Sequence, residues 1–266
     1  MHTTATRTPA VGFLQPGAPD VLVDLEIDVP APEGHDLLVD VRAVSVNPAD
    51  VKVRAAADPA GTPKVLGYEA AGVVLAVGDA VTAYAPNDEV YYAGSISRPG
   101  SNAGVQLVDE RIVGRKPTSL DFGAAAALPL TTITAWETVF DRLGLQREST
   151  GTLLVMAAAG GVGSIVVQLA RQLTGLTVIG TASRPESAAW AREMGAHHVV
   201  NHHHLREELN EVAPDGVEHI FTPFSAGNVE TFAAVLSRGA RWWRSTSPRA
   251  WICCRSRRRA RPGTGS

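Results

Sequence analysis

Cysteine is nearly missing from this sequence. The 266 residues hold two, Cys253 and Cys254, and because they are neighbours they can build neither a disulfide framework nor, alone, a structural zinc knuckle. Long apolar runs are missing as well: no stretch approaches the roughly 18 residues needed to cross a bilayer. The opening Met1-His2-Thr3-Thr4-Ala5-Thr6-Arg7 lacks the apolar core of a secretory signal. The expectation is a cytoplasmic protein with no membrane partner. Charge is spread unevenly along the chain. From Arg238 onward there are nine arginines and no Asp, Glu or Lys. Residues 1–237 therefore hold 15 of the 24 basic groups and all 27 acidic ones, a net of −12 against −3 for the whole chain. Both cysteines and three of the five tryptophans also fall after Arg238, so body and tail differ in kind. What remains is ordinary. Hydrophobic residues at 45% and charged residues at 19% supply ample core for two domains.

From Val11 to about Val113, short β-rich runs are broken by glycine and proline, as in Leu37–Val44, Ala70–Val77 and Asp88–Tyr92. Turn signals such as Gly78-Asp79 and Pro86-Asn87-Asp88 separate them. Many short strands with frequent turns predict a compact all-β barrel or sandwich. The texture changes after Arg115-Lys116-Pro117. Asp121–Leu128 is an alanine-rich helical segment, and Thr132–Leu143 carries Ile133, Trp136, Val139, Phe140 and Leu143 at helical spacing. A βαβ rhythm follows. Strands are predicted at Thr152–Met156, Thr177–Gly180, His198–Val200 and Glu218–Thr222. Helices are predicted between them at Gly163–Thr174, with Ile165, Val166, Leu169 and Leu173 inward, at Pro185–Met194 and at Leu205–Val212. Such alternation predicts a parallel, doubly wound sheet, and no internal repeat interrupts it.

Within this rhythm the strand Leu153–Met156 runs into Ala157-Ala158-Ala159-Gly160-Gly161-Val162-Gly163-Ser164 and then a helix. This is the dinucleotide fingerprint G-x-G-x-x-G with Ala158 in place of the first glycine. Gly160 would let the backbone approach a pyrophosphate, Gly163 would let helix and strand pack closely, and the amides of Gly161 and Val162 would face the phosphates. A glycine-rich run alone is weak evidence; its place between a strand and a helix makes it specific. The rival reading is a tight turn in a flavodoxin-like sheet without cofactor. An NAD-binding site needs an Asp or Glu about 20 residues on. Ser183 and Arg184 stand there instead, and a hydroxyl with a guanidinium suits a 2′-phosphate. NADPH is the predicted cofactor. Ser183 could also cap the helix that Pro185 begins.

The order of these features resembles the medium-chain dehydrogenase/reductase superfamily, in its quinone oxidoreductase and zinc-type alcohol dehydrogenase-like branch. The matching segments are Ser45–Lys52, Leu66–Gly72, Asn87–Tyr91, Arg111–Pro117 and Ala127–Glu137, besides the glycine loop and Thr181-Ala182-Ser183-Arg184. The resemblance runs from about residue 10 to residue 237. It implies a GroES-like β-barrel domain over residues 1–125 and an incomplete Rossmann domain over residues 126–237. It further implies a full-length relative that forms a homodimer. By the same resemblance Asn47 and Thr134 lie against the nicotinamide end of the cofactor. Tyr68 donates to a developing oxyanion, with Tyr91 or Tyr92 as substitutes. Asn47 before Pro48 also reads as a plain turn residue, Thr134 as a helix residue and the tyrosines as core.

Departures from the zinc-dependent members bear on chemistry. Those carry a Cys at or near the place of Asn47, a His-Glu pair where this chain has Tyr68-Glu69, and a four-cysteine lobe near residues 90–110. Without thiolate or imidazole there, a catalytic Zn²⁺ has too few ligands. The resemblance then implies metal-free hydride transfer to a quinone or an α,β-unsaturated carbonyl, an acceptor that needs orientation and a donor to its oxygen more than a Lewis acid.

Two further clusters of basic residues stand out. His197, His198, His202, His203 and His204 suggest a metal, yet three consecutive histidines cannot all face one ion, and a solvated loop away from the cleft is expected. Arg255, Arg257, Arg258, Arg259 and Arg261 with Trp251 suggest nucleic-acid binding. A frameshift near Arg238 accounts for them better, and no nucleic-acid partner is expected. With GC-rich codons, residues 242–256 reread in another frame as a hydrophobic strand and an acidic loop. Residues 238–266 are then a non-native basic tail, and an inactive, truncated product is the main rival to the enzyme reading. Burying Arg241 and Arg244 unpaired in a central strand would cost several kcal/mol each, so the sheet is expected to end near Leu236, leaving Glu218–Thr222 as an exposed edge.

Overall fold

The computed structural model describes residues 5–224 and 228–244. The chain divides into two compact units, at Leu130/Thr131, within the helix Pro129–Trp136.

In the first unit, β1 (Thr6–Phe13) pairs antiparallel with β2 (Leu22–Val29) over all eight residues and with β4 (Lys64–Val65) at its end. A second, five-stranded sheet is built from β3 (Asp36–Val44), β5 (Glu69–Val77), β6 (Glu89–Ala93), β7 (Val105–Asp109) and β8 (Val113–Arg115), in the order β7-β3-β5-β6-β8. Strand periodicity of two decides what faces inward: Val90 and Tyr92 of β6 are buried while Glu89 is exposed. They pack with Leu37, Val39, Val74 and Val108. The described strands form two sheets, of three and five, which make the all-β unit that the sequence predicts as a barrel or sandwich. Asn47 precedes α1 (Pro48–Ala56) and Asp121 precedes α2 (Phe122–Ala126), where the Asp121 carboxylate accepts from the Ala124 amide at 2.7 Å.

The second unit holds a parallel sheet of β9 (Thr152–Val155), β10 (Thr177–Thr181), β11 (His198–Val200), β12 (Val217–Thr222) and β13 (Leu236–Arg244), in the order β11-β10-β9-β12-β13. Its central strands β9 and β10 are covered on both faces, which is why they read as near-continuous apolar runs. Leu153, Val155, Val178 and Phe221 pack against Val166, Val167 and Ala170 of α4 (Gly161–Leu173) and Ala191 of α5 (Pro185–Glu193). The alternate residues Leu154, Ile179 and Ile220 pack against α6 (Leu205–Val212) and α7 (Val229–Val235) through Leu205, Leu209, Phe232 and Val235. On α4 the most buried stripe is Val166, Val167 and Ala170, with Ile165 and Leu169 half-buried. The smaller side chains let the helix lie close to the sheet.

Two helical expectations shift. The helix predicted from Thr132 begins at Pro129, which becomes α3 (Pro129–Trp136), and proline suits a first turn because its missing N–H would have no partner there. It then widens into a π turn over Glu137–Arg142. The Thr138 hydroxyl donates to the Thr134 carbonyl at 2.7 Å, and a side chain that engages the i−4 carbonyl competes with the regular backbone bond.

The expected end of the sheet near Leu236 is corrected by β13, which pairs parallel with β12 as far as Thr222↔Arg244. β12 is therefore no edge. The expectation took residues 240–245 for a central strand, whereas β13 stands last in the order, where one side of the backbone needs no strand partner. Its register is irregular between Val217↔Leu236 and His219↔Arg241, where the change in sequence texture begins. The remainder of the predicted basic tail, residues 245–266, lies outside the described residues. Among the described residues no helix is long and apolar enough to cross a membrane.

The two-sided core makes a direct test. Leu154 is 0% exposed and Leu14 is 55% exposed. Leu154→Ala should lower unfolding free energy by about 2–5 kcal/mol in denaturant melts, while Leu14→Ala stays within roughly 0.5 kcal/mol of the parent. Equal effects would contradict the packing described.

Candidate functional site

The glycine loop leaves β9 through Met156 and reaches Ala157, which sits in the left-handed region at φ 54°. A non-glycine residue there costs about 1–2 kcal/mol. The loop around it is over-determined: the Ala157 amide donates to the Thr181 hydroxyl at 3.0 Å, the Ala158 amide to the Thr181 carbonyl at 3.3 Å, and the Gly160 amide back to the Ala157 carbonyl at 2.9 Å. A Cβ on Gly163 would stand 2.2 Å from the Ala157 carbonyl oxygen, so only glycine lets α4 start this close to the strand. The Ser164 hydroxyl donates to the Ala158 carbonyl and accepts from the Trp190 indole at 2.8 Å, tying α5 to the loop. Gly160 is the N-cap, and the first amides of α4, those of Gly161 and Val162, have no partner within the helix. They carry its positive dipole end, which suits phosphate.

Sequence reasoning places Ala158 at the tight turn. The structure puts the turn at Ala157 and Ala158 in the core, where its methyl would be 2.8 Å from a Cβ on Gly180. Beyond the loop, a cavity of about 450 Å³ opens at the C-terminal ends of β9 and β10. Gly160, Thr181, Ser183, Arg184, Ser187 and His202 are among the residues lining it. Arg184, not Ser183, is the N-cap of α5, without a side-chain cap bond, so Ser183 is free of the capping role allowed for it. The Arg184 guanidinium donates to the Ser187 hydroxyl at 3.2 Å. Thr134 lies mid-helix on α3 and does not line this cavity; Thr131 is the α3 residue beside the loop, its methyl 3.2 Å from a Cβ on Gly161.

His202 corrects an expectation. The histidine run was placed away from the cleft, yet β11 lies beside β10 in the same direction, and parallel strands open their C-terminal ends on one edge. The Ala182 amide donates to the Val200 carbonyl at 3.0 Å, joining those two ends. His197, at the other end of β11, accepts from the Val178 amide through Nδ1 at 2.9 Å, and burial holds its imidazole below the usual range.

In the first unit, a knot of buried polar groups surrounds Asn47 and Tyr68. Glu69 is fully buried. One of its oxygens accepts from the Asn47 carboxamide at 2.8 Å, and the other accepts from the Leu130 amide in the first turn of α3 at 2.7 Å. Asp50 accepts from the Asn47 amide at 2.8 Å and from the Gly67 amide at 2.9 Å. Gly67 has φ 106°, and a Cβ there would meet the Ser101 hydroxyl at 2.4 Å. Asn47 is thus more than the turn residue it resembles: it caps α1 and holds Glu69. Glu69 and Asp50 escaped sequence reasoning as site residues, since their partners lie up to 61 positions away.

The Tyr68 ring is buried beside this knot, and burial first, then the Asp50 carboxylate, pushes its phenol above the ordinary value. It remains a proton donor at neutral pH. Tyr92 is taken out of the role of substitute because its buried hydroxyl donates to Gln106 at 2.9 Å. The donor set does not fit zinc. Asn47 and Tyr68 offer no thiolate or imidazole, and both Glu69 oxygens are engaged by N–H donors. Among the described residues, no three His, Cys, Asp or Glu side chains gather where they could hold a metal ion.

The close approach at Gly163 predicts that Gly163→Ala loses cofactor binding and about 1–3 kcal/mol of stability, since the added carbon would clash with backbone that cannot step aside. Gly123, whose added Cβ would meet nothing nearer than 3.5 Å, is the control: Gly123→Ala should be neutral or slightly stabilising. Thermal melts with and without dinucleotide separate the two; similar behaviour would contradict the loop geometry.

The alcohol dehydrogenase GroES-like domain family matches residues 33–127, and the zinc-binding dehydrogenase family matches residues 161–242. A zinc-type alcohol dehydrogenase-like protein of Staphylococcus epidermidis is 42% identical over 206 residues, covering 76% of this chain. The chain spans 61% of that relative's length. The human quinone oxidoreductase is 31% identical over 252 residues, covering 91% of this chain and 74% of the relative. Among solved structures, the Escherichia coli quinone oxidoreductase complexed with NADPH superimposes with a TM-score of 0.76 at 28% identity, covering 88% of this chain and 72% of that one. An NAD-dependent alcohol dehydrogenase superimposes with a TM-score of 0.81 at 31% identity, covering 88% and 76%. With two consecutive family domains in order and relatives matched over most of their length, the chain belongs to the medium-chain dehydrogenase/reductase superfamily of oxidoreductases.

Proposed function

We propose that the chain is an NADPH-dependent reductase that transfers hydride, without a metal, to a quinone or an α,β-unsaturated carbonyl. The observation that carries the cofactor half is the lining of the cavity at the ends of β9 and β10. It presents Ser183 and Arg184, and among the described residues lining it there is no carboxylate. An NAD site needs such a carboxylate to accept from the ribose 2′-hydroxyl, whereas a hydroxyl and a guanidinium suit a 2′-phosphate. The amides of Gly161 and Val162 would bind the pyrophosphate, and Gly160 and Gly163 keep side chains out of its way. Thr134 is retained as a nicotinamide-side residue on the family resemblance.

When bound, the reduced nicotinamide supplies the hydride. The chain's own residues orient the acceptor and protonate its oxygen. Tyr68 is the proposed donor, since its phenol keeps its proton and its hydroxyl is not engaged elsewhere among the described residues. Asn47, fixed by Glu69 and the Asp50 bond to its amide, is proposed to orient the acceptor. A carbonyl conjugated to a second carbonyl or alkene spreads the incoming charge over two oxygens or over an enolate. It therefore needs a positioned hydrogen-bond donor more than a Lewis acid.

Two measurements test this reading. Titrating each dinucleotide against intrinsic tryptophan fluorescence should show tighter binding of NADPH than NADH. Arg184→Ala should weaken NADPH by about 1.5–3 kcal/mol, the scale of a charge-assisted bond, with NADH nearly unaffected. Equal or tighter NADH binding would sink the cofactor assignment. Quinone-dependent NADPH oxidation should persist in chelator, with no stoichiometric zinc by elemental analysis, and Tyr68→Phe should lower kcat by about 10²-fold with a small change in KM. One zinc per chain, or an unchanged kcat, would overturn the chemistry.

A further inference from the structure

His202 is the one ionisable side chain besides Arg184 among the described residues lining the cofactor cavity, and nothing in the dinucleotide fingerprint calls for it. Its position is built. Asn201 follows the last residue of β11, donates its amide to the Glu208 carboxylate at 2.7 Å and accepts from the His203 amide at 3.0 Å. These bonds fix the turn His202–His204, and the bond from Ala182 to Val200 holds that turn level with Ser183 and Arg184. The His202 ring stacks at 4.2 Å, tilted, on the ring of His203. Its nitrogens make no hydrogen bond among the described residues, and the side chain is exposed.

We propose that His202 is a specificity-determining residue of the cofactor cavity, which recognises the 2′-phosphate together with Arg184 and makes that recognition depend on pH. The inference rests on the NADPH reading above. An imidazole gains its charge between about pH 8 and pH 5. At the acid end two cations would border the 2′-phosphate; at the alkaline end Arg184 alone would. The ionisable groups about His202 are Arg184 on the cavity wall, His203 and His204 in the same turn, and Arg206, Glu207 and Glu208 at the start of α6. Glu208 turns its carboxylate to the Asn201 amide. The charge on His202 therefore has no carboxylate partner within the cavity lining to cancel it. The phosphate itself loses its second proton near pH 6, an effect that favours binding as pH rises and that a histidine variant shares with the parent.

The test compares the full chain with His202→Gln, measuring dissociation constants of NADPH and NADH by tryptophan fluorescence across about pH 5.5–8. Gln keeps a polar side chain of similar reach without the titrating charge. The expected result is an NADPH affinity about three- to fivefold weaker in the variant at the acid end, the scale of an exposed ion pair, converging with the parent at the alkaline end. NADH binding should not change. Identical pH profiles for parent and variant would overturn the proposal. So would equal weakening of both nucleotides, which would make His202 only a platform for the adenine ring. If the parent binds NADH as tightly as NADPH at every pH, the cofactor reading itself fails; if NADPH preference holds but the variant matches the parent, only the role of His202 does.

Discussion

The approach of α4 to β9 is the constraint on which the second unit depends. At Gly163 the helix lies so near the Ala157 carbonyl that a single added carbon would overlap it, at 2.2 Å. From that contact the rest follows. Ala157 is driven into the left-handed region, Thr181 takes up the two amides this exposes, and Gly180 makes room for the Ala158 methyl. The helix then begins at the sheet's C-terminal edge with its free amides at the mouth of the cavity. The strain at Ala157 is held by three hydrogen bonds, one of them to the Thr181 hydroxyl, and by Val166, Val167 and Ala170 packed beneath, and local strain of this kind persists only where its surroundings over-determine it.

The first unit solves a different problem, the placement of two buried carboxylates. An unpaired buried carboxylate would cost several kcal/mol. Glu69 and Asp50 each accept two N–H donors instead, and together they tie Asn47, the left-handed Gly67 and the start of α3 into one network. Ser101 closes it by donating to the Glu69 carbonyl at 3.1 Å. A network in which every member is satisfied rigidifies its surroundings more than its separate bonds suggest. The rigidity reaches Tyr68 through its direct neighbour in sequence, Glu69.

What could be read from the sequence was what local sterics and periodicity enforce. The glycine loop was legible because the need for Gly160 and Gly163 arises from atoms a few residues away. The strands β9 and β10 were legible because both their faces are largely buried and apolar. The residues that escaped are those whose role is set by topology. His202 belongs to the cavity only because β11 lies beside β10, and Glu69 serves α3 only because the chain returns to it at Leu130. The exact turn residue, Ala157 rather than Ala158, was hidden because alanine carries no signature of a positive φ. The last strand was misjudged from its arginines: composition argued against a buried central strand, and the sheet uses that segment at its edge.

The central claim is that the cavity at the C-terminal ends of β9 and β10 is where the dinucleotide binds. Backbone amide chemical shifts recorded on the full chain during addition of NADPH test it most directly. The account predicts that the large changes fall on Ala157–Gly163 and on Ala182–Ser187, with smaller ones at His202. Changes centred elsewhere, with the glycine loop unmoved at saturation, would contradict it.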